Sequence, residues 1–192
     1  MSTSSLIERL LHGEQNVPEQ SNNPFTFAYF AFLDYFQQLD LIEPQHVIIS
    51  ANFTYGWMPT MLRLKNTDFA SAAHVLNQVK ASESITDADF QTLINLMNNS
   101  IVGVSKLLHF VSPANYAIWD SRVVLFYAPN ISAHRFQRTA TYREYVQQCI
   151  NISKLPAFLP IHNAVEQKVG RPITALRAIE LIMYKNAYQP EV

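Results

Sequence analysis

The chain has 192 residues, one domain's length at roughly 100–200 residues per domain, and its 48% apolar and 15% charged composition excludes a disordered chain. Four glycines exclude a Gly-rich phosphate loop and a turn-dense all-β fold, while the single Cys149 excludes an intramolecular disulfide and four-Cys zinc or iron–sulfur centres. Fourteen Lys+Arg against fifteen Asp+Glu leave a formal net charge of -1, without the basic excess usual in nucleic-acid-binding domains. No basic region leads into an apolar run at Met1–Ser5, and no stretch reaches about 18 uninterrupted apolar residues. The expectation is a cytoplasmic chain with no membrane segment.

Residues 5 to 12 predict a short amphipathic helix, and the polar Gly13–Asn23 run a loop, so residues 1–23 read as an N-terminal helix and linker ahead of an all-helical domain over 24–192. From Pro24 to Leu41, Phe25, Tyr29, Phe32, Leu33 and Phe36 recur at helical spacing, with Pro24 suited to a first turn. Pro44 to Leu64 predicts a helix broken at Gly56 and Pro59, which puts Phe53, Tyr55 and Trp57 at a bend. His46–Asn52 is the best rival strand. Thr67 or Asp68 caps a helix to Lys80, and Thr86 with Asp89 approximates a capping box for a helix carrying Phe90, Leu93, Ile94 and Met97.

Asn98-Asn99-Ser100 signals a turn, followed by an apolar helix over Val104–Val111 that stops before Pro113. Asp120 precedes a run over Ser121–Tyr127. Three more helical stretches cover Thr139–Asn151, Ala157–Val169 and Pro172–Tyr188, with Gly170 at a helix C-terminus. The fold class is therefore all-α, a single multi-helix domain.

The six histidines stand without HxxxH, HxE or Cys-His spacing, so no metal site is expected. There is no G-x-S-x-G elbow or P-loop, and Cys149 lies on an apolar helix face with Val146 and Ile150, as a small buried hydrophobe would. One segment carries chemistry: Ser100-Ile-Val-Gly103-Val-Ser105-Lys106-Leu-Leu-His109, then Ile118-Trp119-Asp120-Ser121-Arg122-Val123. A lysine in the first turn of an apolar helix is disfavoured as an ammonium by the helix dipole and by burial, which suits a nucleophilic amine. An aspartate at an N-cap has its carboxylate oriented by backbone N–H groups. The bland readings stand beside these: Asp120 as an ordinary cap, and Lys106 snorkelling to solvent.

The G-V-S-K stretch followed by an apolar helix and then I-W-D-S-R-V resembles the helix-hairpin-helix DNA glycosylases, in particular their 8-oxoguanine glycosylase-like branch. The resemblance implies an all-α fold with a cleft between two helical clusters, and base excision with possible lyase action through a lysine Schiff base. It casts Lys106 as nucleophile, Asp120 as assisting carboxylate, and Gly103 as the hairpin turn on DNA phosphates, with Ser105 and Arg122 as further backbone contacts. No cofactor is implied, and the partner is duplex DNA carrying a damaged or modified base, with a nucleoid location. The family pattern has two glycines before the lysine where this chain has one, and a longer lysine-to-aspartate interval.

Phe53, Tyr55 and Trp57 offer an aromatic wall for a flipped base, and His109 is counted with that pocket; the same aromatics also read as core packing. Arg135, Arg138 and Arg143 extend a limited phosphate-contacting surface. The alternative function is a non-catalytic descendant of the glycosylase fold acting as a nucleic-acid-binding or protein-interaction module.

Overall fold

The computed structural model describes residues 3–58, 60–64 and 67–187. Among these residues there are only helices and their connections. The chain divides into two helical units, one formed by residues 24–116 and the other by residues 1–23 together with 117–192. Pro24 opens the continuous unit, and the segment before it groups with the far end of the chain.

The continuous unit holds α2 (Pro24–Gln37), α3 (Pro44–Trp57), α4 (Phe69–Lys80), α5 (Asp87–Leu96) and α6 (Ile101–Val111). Its centre is α6, which packs against the other four. Ten of its eleven residues are buried, because a helix that is apolar all round has no face to offer water. Local signals set the boundaries. Asp68 accepts from Ser71 N at 3.1 Å to cap α4, and Thr86 and Asp89 exchange the two bonds of a capping box at α5.

The 46–52 segment is helix as part of α3, begun at Pro44, and not the rival strand. Three expectations are corrected here. Gly56 does not break α3: it lies in the last turn, with Trp57 as the final residue and Met58 as the cap, while Pro59 is outside the described residues. The helix carrying Lys106 begins at Ile101, three residues earlier than expected, because Ser100 caps it through Gly103 N at 3.3 Å. Phe25 leaves the aromatic stripe of α2 and is 63% exposed.

The discontinuous unit holds α1 (Thr3–Glu14), α7 (Ser121–Tyr127), the four-residue α8 (Ala133–Phe136), α9 (Thr139–Ser153), a 3₁₀ turn at Pro156–Phe158, α10 (Leu159–Val169) and α11 (Ala175–Lys185). Here α11 is central, packed on α1, α7, α9 and α10. The N-terminal helix buries one face, with Leu6 and Leu10 fully buried. At Gly13 a Cβ would come within 2.9 Å of Ile182 and Asn186 on α11, so α1 sits against α11 at a distance that glycine allows. Gly170 ends α10 in the left-handed conformation at φ 77°. The last long helix starts at Ala175, not Pro172, because the Thr174 hydroxyl caps it by accepting from Arg177 N at 3.2 Å; Tyr188 lies outside the described residues.

Candidate functional site

Lys106 and Asp120 fall in different units, so each is taken within its own. Lys106 is the sixth residue of α6 and is only 8% exposed. It does not snorkel. It stands in the second turn of α6, not the first, and so beyond the reach of the field at the helix start. Its ammonium lies over the Trp57 ring, 5.4 Å from the centroid, within the range of a cation–π contact.

Trp57 is part of an aromatic cluster contributed by α2, α3 and α6. Phe110, 1% exposed, is its hub, with Phe32, Trp57, Tyr29 and Phe53 at centroid distances from 5.3 to 6.1 Å. Phe32 and Phe53 stack at 4.2 Å with planes 8° apart. The Trp57 indole N–H donates to Phe25 O at 3.2 Å. On the outer side of these rings an open groove of about 390 Å³ is lined by Pro24, Ala28, Phe53, Gly56 and Trp57 among others. At Gly56 the groove wall faces open space, with nothing within 4 Å of where a Cβ would stand.

The expected pocket residues thus separate. Phe53 and Trp57 line the groove. Tyr55 does not: it is 3% exposed, faces the α5–α6 turn, and donates to Met97 O at 2.7 Å. Burial pushes its phenol up from the ordinary value, with the Ser100 hydroxyl bond opposing. His109 is fully buried. Its Nδ1 lies 2.6 Å from Tyr116 O, a carbonyl that only accepts, so Nδ1 carries the proton and Nε2 accepts from the Tyr29 hydroxyl at 3.0 Å.

Two expected DNA-backbone contacts are corrected. Gly103 is not in the hairpin turn but inside α6. A Cβ there would stand 2.8 Å from the Tyr55 hydroxyl, so the glycine serves the close approach of α3, and its N–H is taken by Ser100. Ser105 is fully buried and donates to Val102 O at 2.8 Å, which leaves its hydroxyl no route to a phosphate. The turn itself is built by Asn98 and Asn99, both left-handed at φ 57° and 54°, a conformation asparagine tolerates better than most residues. Asn98 also accepts from Arg63 N at 2.8 Å and donates to Met61 O at 2.9 Å. The Asn-Asn pair is thus the turn signal at 98–100, and its first side chain also ties down the 61–63 segment.

Asp120 caps α7, accepting from Val123 N at 3.0 Å, and is 9% exposed. The strand-free stretch leading to it is pinned within its own unit. Tyr142 and Tyr145, one turn apart on α9, donate to Ala117 O at 3.0 Å and Ile118 O at 3.1 Å. Trp119 is fully buried and donates to Phe136 O at 3.0 Å. These three anchors were not read from the sequence, although Tyr142 and Tyr145 stand at the i, i+3 spacing that puts two hydroxyls on one face. Arg122 is half-buried, its guanidinium 4.8 Å over the Tyr184 ring.

Among the described residues no group of three His, Cys, Asp or Glu side chains could hold a metal, and no helix is long and apolar enough to cross a membrane. Cys149 is fully buried, its thiol pushed up to about 12 by burial, which makes it inert as a nucleophile. No protein-family model, curated protein or solved structure matches the chain.

Proposed function

We propose that the chain is a base-excising DNA glycosylase-like protein, with possible lyase activity, in which Lys106 is the amine nucleophile. The observation that carries this reading is the placement of the buried Lys106 amine against the Trp57 ring, whose other neighbours open onto an aromatic groove. A flat heterocycle extruded from a duplex is held by stacking on such rings, and a lysine amine is the side chain able to form an imine at a sugar carbon. In the proposed step the Nζ lone pair attacks the sugar C1′. The C1′–N bond breaks with its electron pair leaving on the base, which takes up a proton. Loss of the amine protons and opening of the sugar ring leave an imine at C1′ and a hydroxyl at C4′. Asp120, its carboxylate oriented by Val123 N–H, is the second residue that the resemblance assigns to this chemistry, as a negative charge for the developing cation.

A second reading, a non-catalytic nucleic-acid-binding or protein-interaction module, draws on the burial of Gly103 and Ser105, which removes two phosphate contacts. Borohydride trapping on a panel of duplexes with damaged or modified bases separates the two. The enzyme reading expects a covalent adduct with the natural chain and none with Lys106→Ala. An adduct that persists in Lys106→Ala, or no adduct and no duplex binding at low salt, overturns it.

A further inference from the structure

Lysines and arginines are unevenly spread along the chain. Residues 117–192 carry nine Lys+Arg and five Asp+Glu, whereas residues 24–116 carry four and seven. Within the first of these stretches no acid stands between Asp120 and Glu144, while Arg122, His134, Arg135, Arg138 and Arg143 do. Arg135 lies in α8 and Arg138 at the cap of α9. Both are exposed, and among the described residues neither guanidinium is hydrogen-bonded or ion-paired. They stand at i, i+3 across one turn, closed by Arg138 N–H donating to Arg135 O at 3.2 Å, a spacing that sets both side chains on the same side of it. Between them Phe136 is held from inside. The fully buried Trp119 stacks on its ring at 5.8 Å and donates to its carbonyl at 3.0 Å. Trp119 also precedes Asp120, so the arginine turn and the proposed carboxylate share one anchor in the core.

We propose that the α8–α9 edge, through Arg135 and Arg138, is a docking surface for the phosphodiester backbone of a nucleic acid. A guanidinium whose N–H fork is open takes two oxygens of a phosphate, and two of them side by side suit separate phosphates of one strand, with no need to share an anion. The positive end of α9, a 15-residue helix with no side chain capping it, adds to the same field. No large apolar side chain is exposed between Ser132 and Arg143. The surface therefore lacks the apolar centre on which a protein partner is anchored, whereas a phosphate backbone needs none. The overall charge of -1 does not oppose this, since none of the balancing acids falls within the 121–143 stretch. The surface rests on the nucleic-acid partner of the proposed function but not on its chemistry. It supplies backbone contacts in place of those that the buried Gly103 and Ser105 do not make.

The test measures binding of the full chain to a short fluorescent duplex as salt is raised. Arg135→Gln and Arg138→Gln are each expected to lower the slope of log binding constant against log salt by about one. The loss is expected to be the same on intact and damaged duplexes, because a backbone contact carries no base information. Arg135→Lys and Arg138→Lys keep the charge and are expected to keep the slope. Both arginines are exposed, so all four variants are expected to melt with the natural chain, and the slope reads contact and not folding. The surface is overturned if the Gln variants keep the natural slope, or if the natural chain binds no duplex at low salt. It is also overturned if polyglutamate competes as strongly as a nucleic acid of equal charge, which assigns the edge to an acidic protein. Lys106→Ala is expected to bind with the natural slope. A chain that binds through the two arginines and gives no borohydride adduct retains the surface and loses the enzyme reading. A chain that traps, with the slope unmoved in the Gln variants, does the reverse.

Discussion

Each unit is built round one helix buried along most of its length, and each of those helices carries charge into the interior, but they treat that charge differently. On α11, Arg177 and Glu180 stand at i, i+3 and satisfy one another on the same helix. On α6, Lys106 is set against the face of Trp57, whose ring also borders an open groove. A charge paired within its own helix belongs to the architecture. A cation set against an aromatic at a groove edge is the arrangement on which the proposed chemistry draws.

The difference sets the largest expected effect. Glu180→Gln leaves the Arg177 guanidinium buried beside a neutral group, and breaking a buried pair in this way costs about 3–5 kcal/mol. Lys106→Met replaces a buried ammonium by a side chain of similar length in an apolar helix, and stability is expected to hold or rise, as at functional positions that strain their surroundings. Urea midpoints of the two variants check the contrast. A Lys106→Met chain as destabilised as Glu180→Gln would make Lys106 an architectural residue.

The next effect tests how α6 is seated. Gly103→Ala places a methyl 2.8 Å from the Tyr55 hydroxyl and 3.1 Å from its ring, and overpacking of this kind costs about 1–3 kcal/mol. Tyr55→Phe removes the atom in closest contact, along with the bond to Met97 O. The double variant is therefore expected to lose less than the sum of the singles, which a double-mutant cycle measures.

How far such contacts are legible from the chain alone follows from their range. Caps are local, so Asp68, Thr86 with Asp89, Asp120 and the left-handed Gly170 all declare themselves within four residues. The start of α6 has an equally local cap, Ser100 on the Gly103 N–H, but the glycine masks it. Gly103 reads as a turn residue because glycine in a helix interior is disfavoured, and only the distant Tyr55 ring explains why it is there. The grouping of residues 1–23 with 117–192 is likewise invisible in sequence, since it rests on contacts such as Asn186 Nδ2 to Gly13 O, 173 positions apart. For the candidate site, Trp57 and Phe53 stand out in the sequence as aromatics near Gly56, while the parts given to Lys106 and Asp120 rest on the resemblance alone. The hydroxyl anchors of Tyr142 and Tyr145 and the inward turn of Tyr55 and His109 were not, because which face of a helix is buried depends on partners far along the chain.

Alkali sharpens the comparison from the side of the discontinuous unit. Burial raises the Cys149 thiol from 9.0 to about 12, with the Tyr145 hydroxyl bond opposing, and raises the Tyr127 phenol from 10.0 to about 12. Both groups stay neutral in the folded chain over a range where the unfolded chain ionises. Their contribution is thus complete below pH 9 and is lost as pH climbs from 9 through 12. Cys149 alone accounts for roughly 1 kcal/mol per pH unit in that window. Denaturation midpoints taken from pH 8 to 11 are expected to fall with this slope, and Cys149→Ala is expected to delay the fall toward pH 10, where the phenols take over.

The smallest effect on stability is the most telling for function. Asp120→Asn keeps a side-chain oxygen to accept from Val123 N–H, and asparagine caps helices about as well as aspartate, so the melting temperature is expected to hold within a degree or two. Asp120→Ala removes the cap and costs about 1 kcal/mol. A residue whose work is to cap α7 follows that order in every assay, with Asn near the natural chain and Ala below it. A residue whose work is to offer negative charge to a developing cation breaks the order, because Asn then fails as badly as Ala in base release while melting like the natural chain. The ratio of the two variants in activity, set against their ratio in stability, therefore separates the cap from the carboxylate, and equal standing of Asn with Asp in both measurements removes Asp120 from the proposed chemistry.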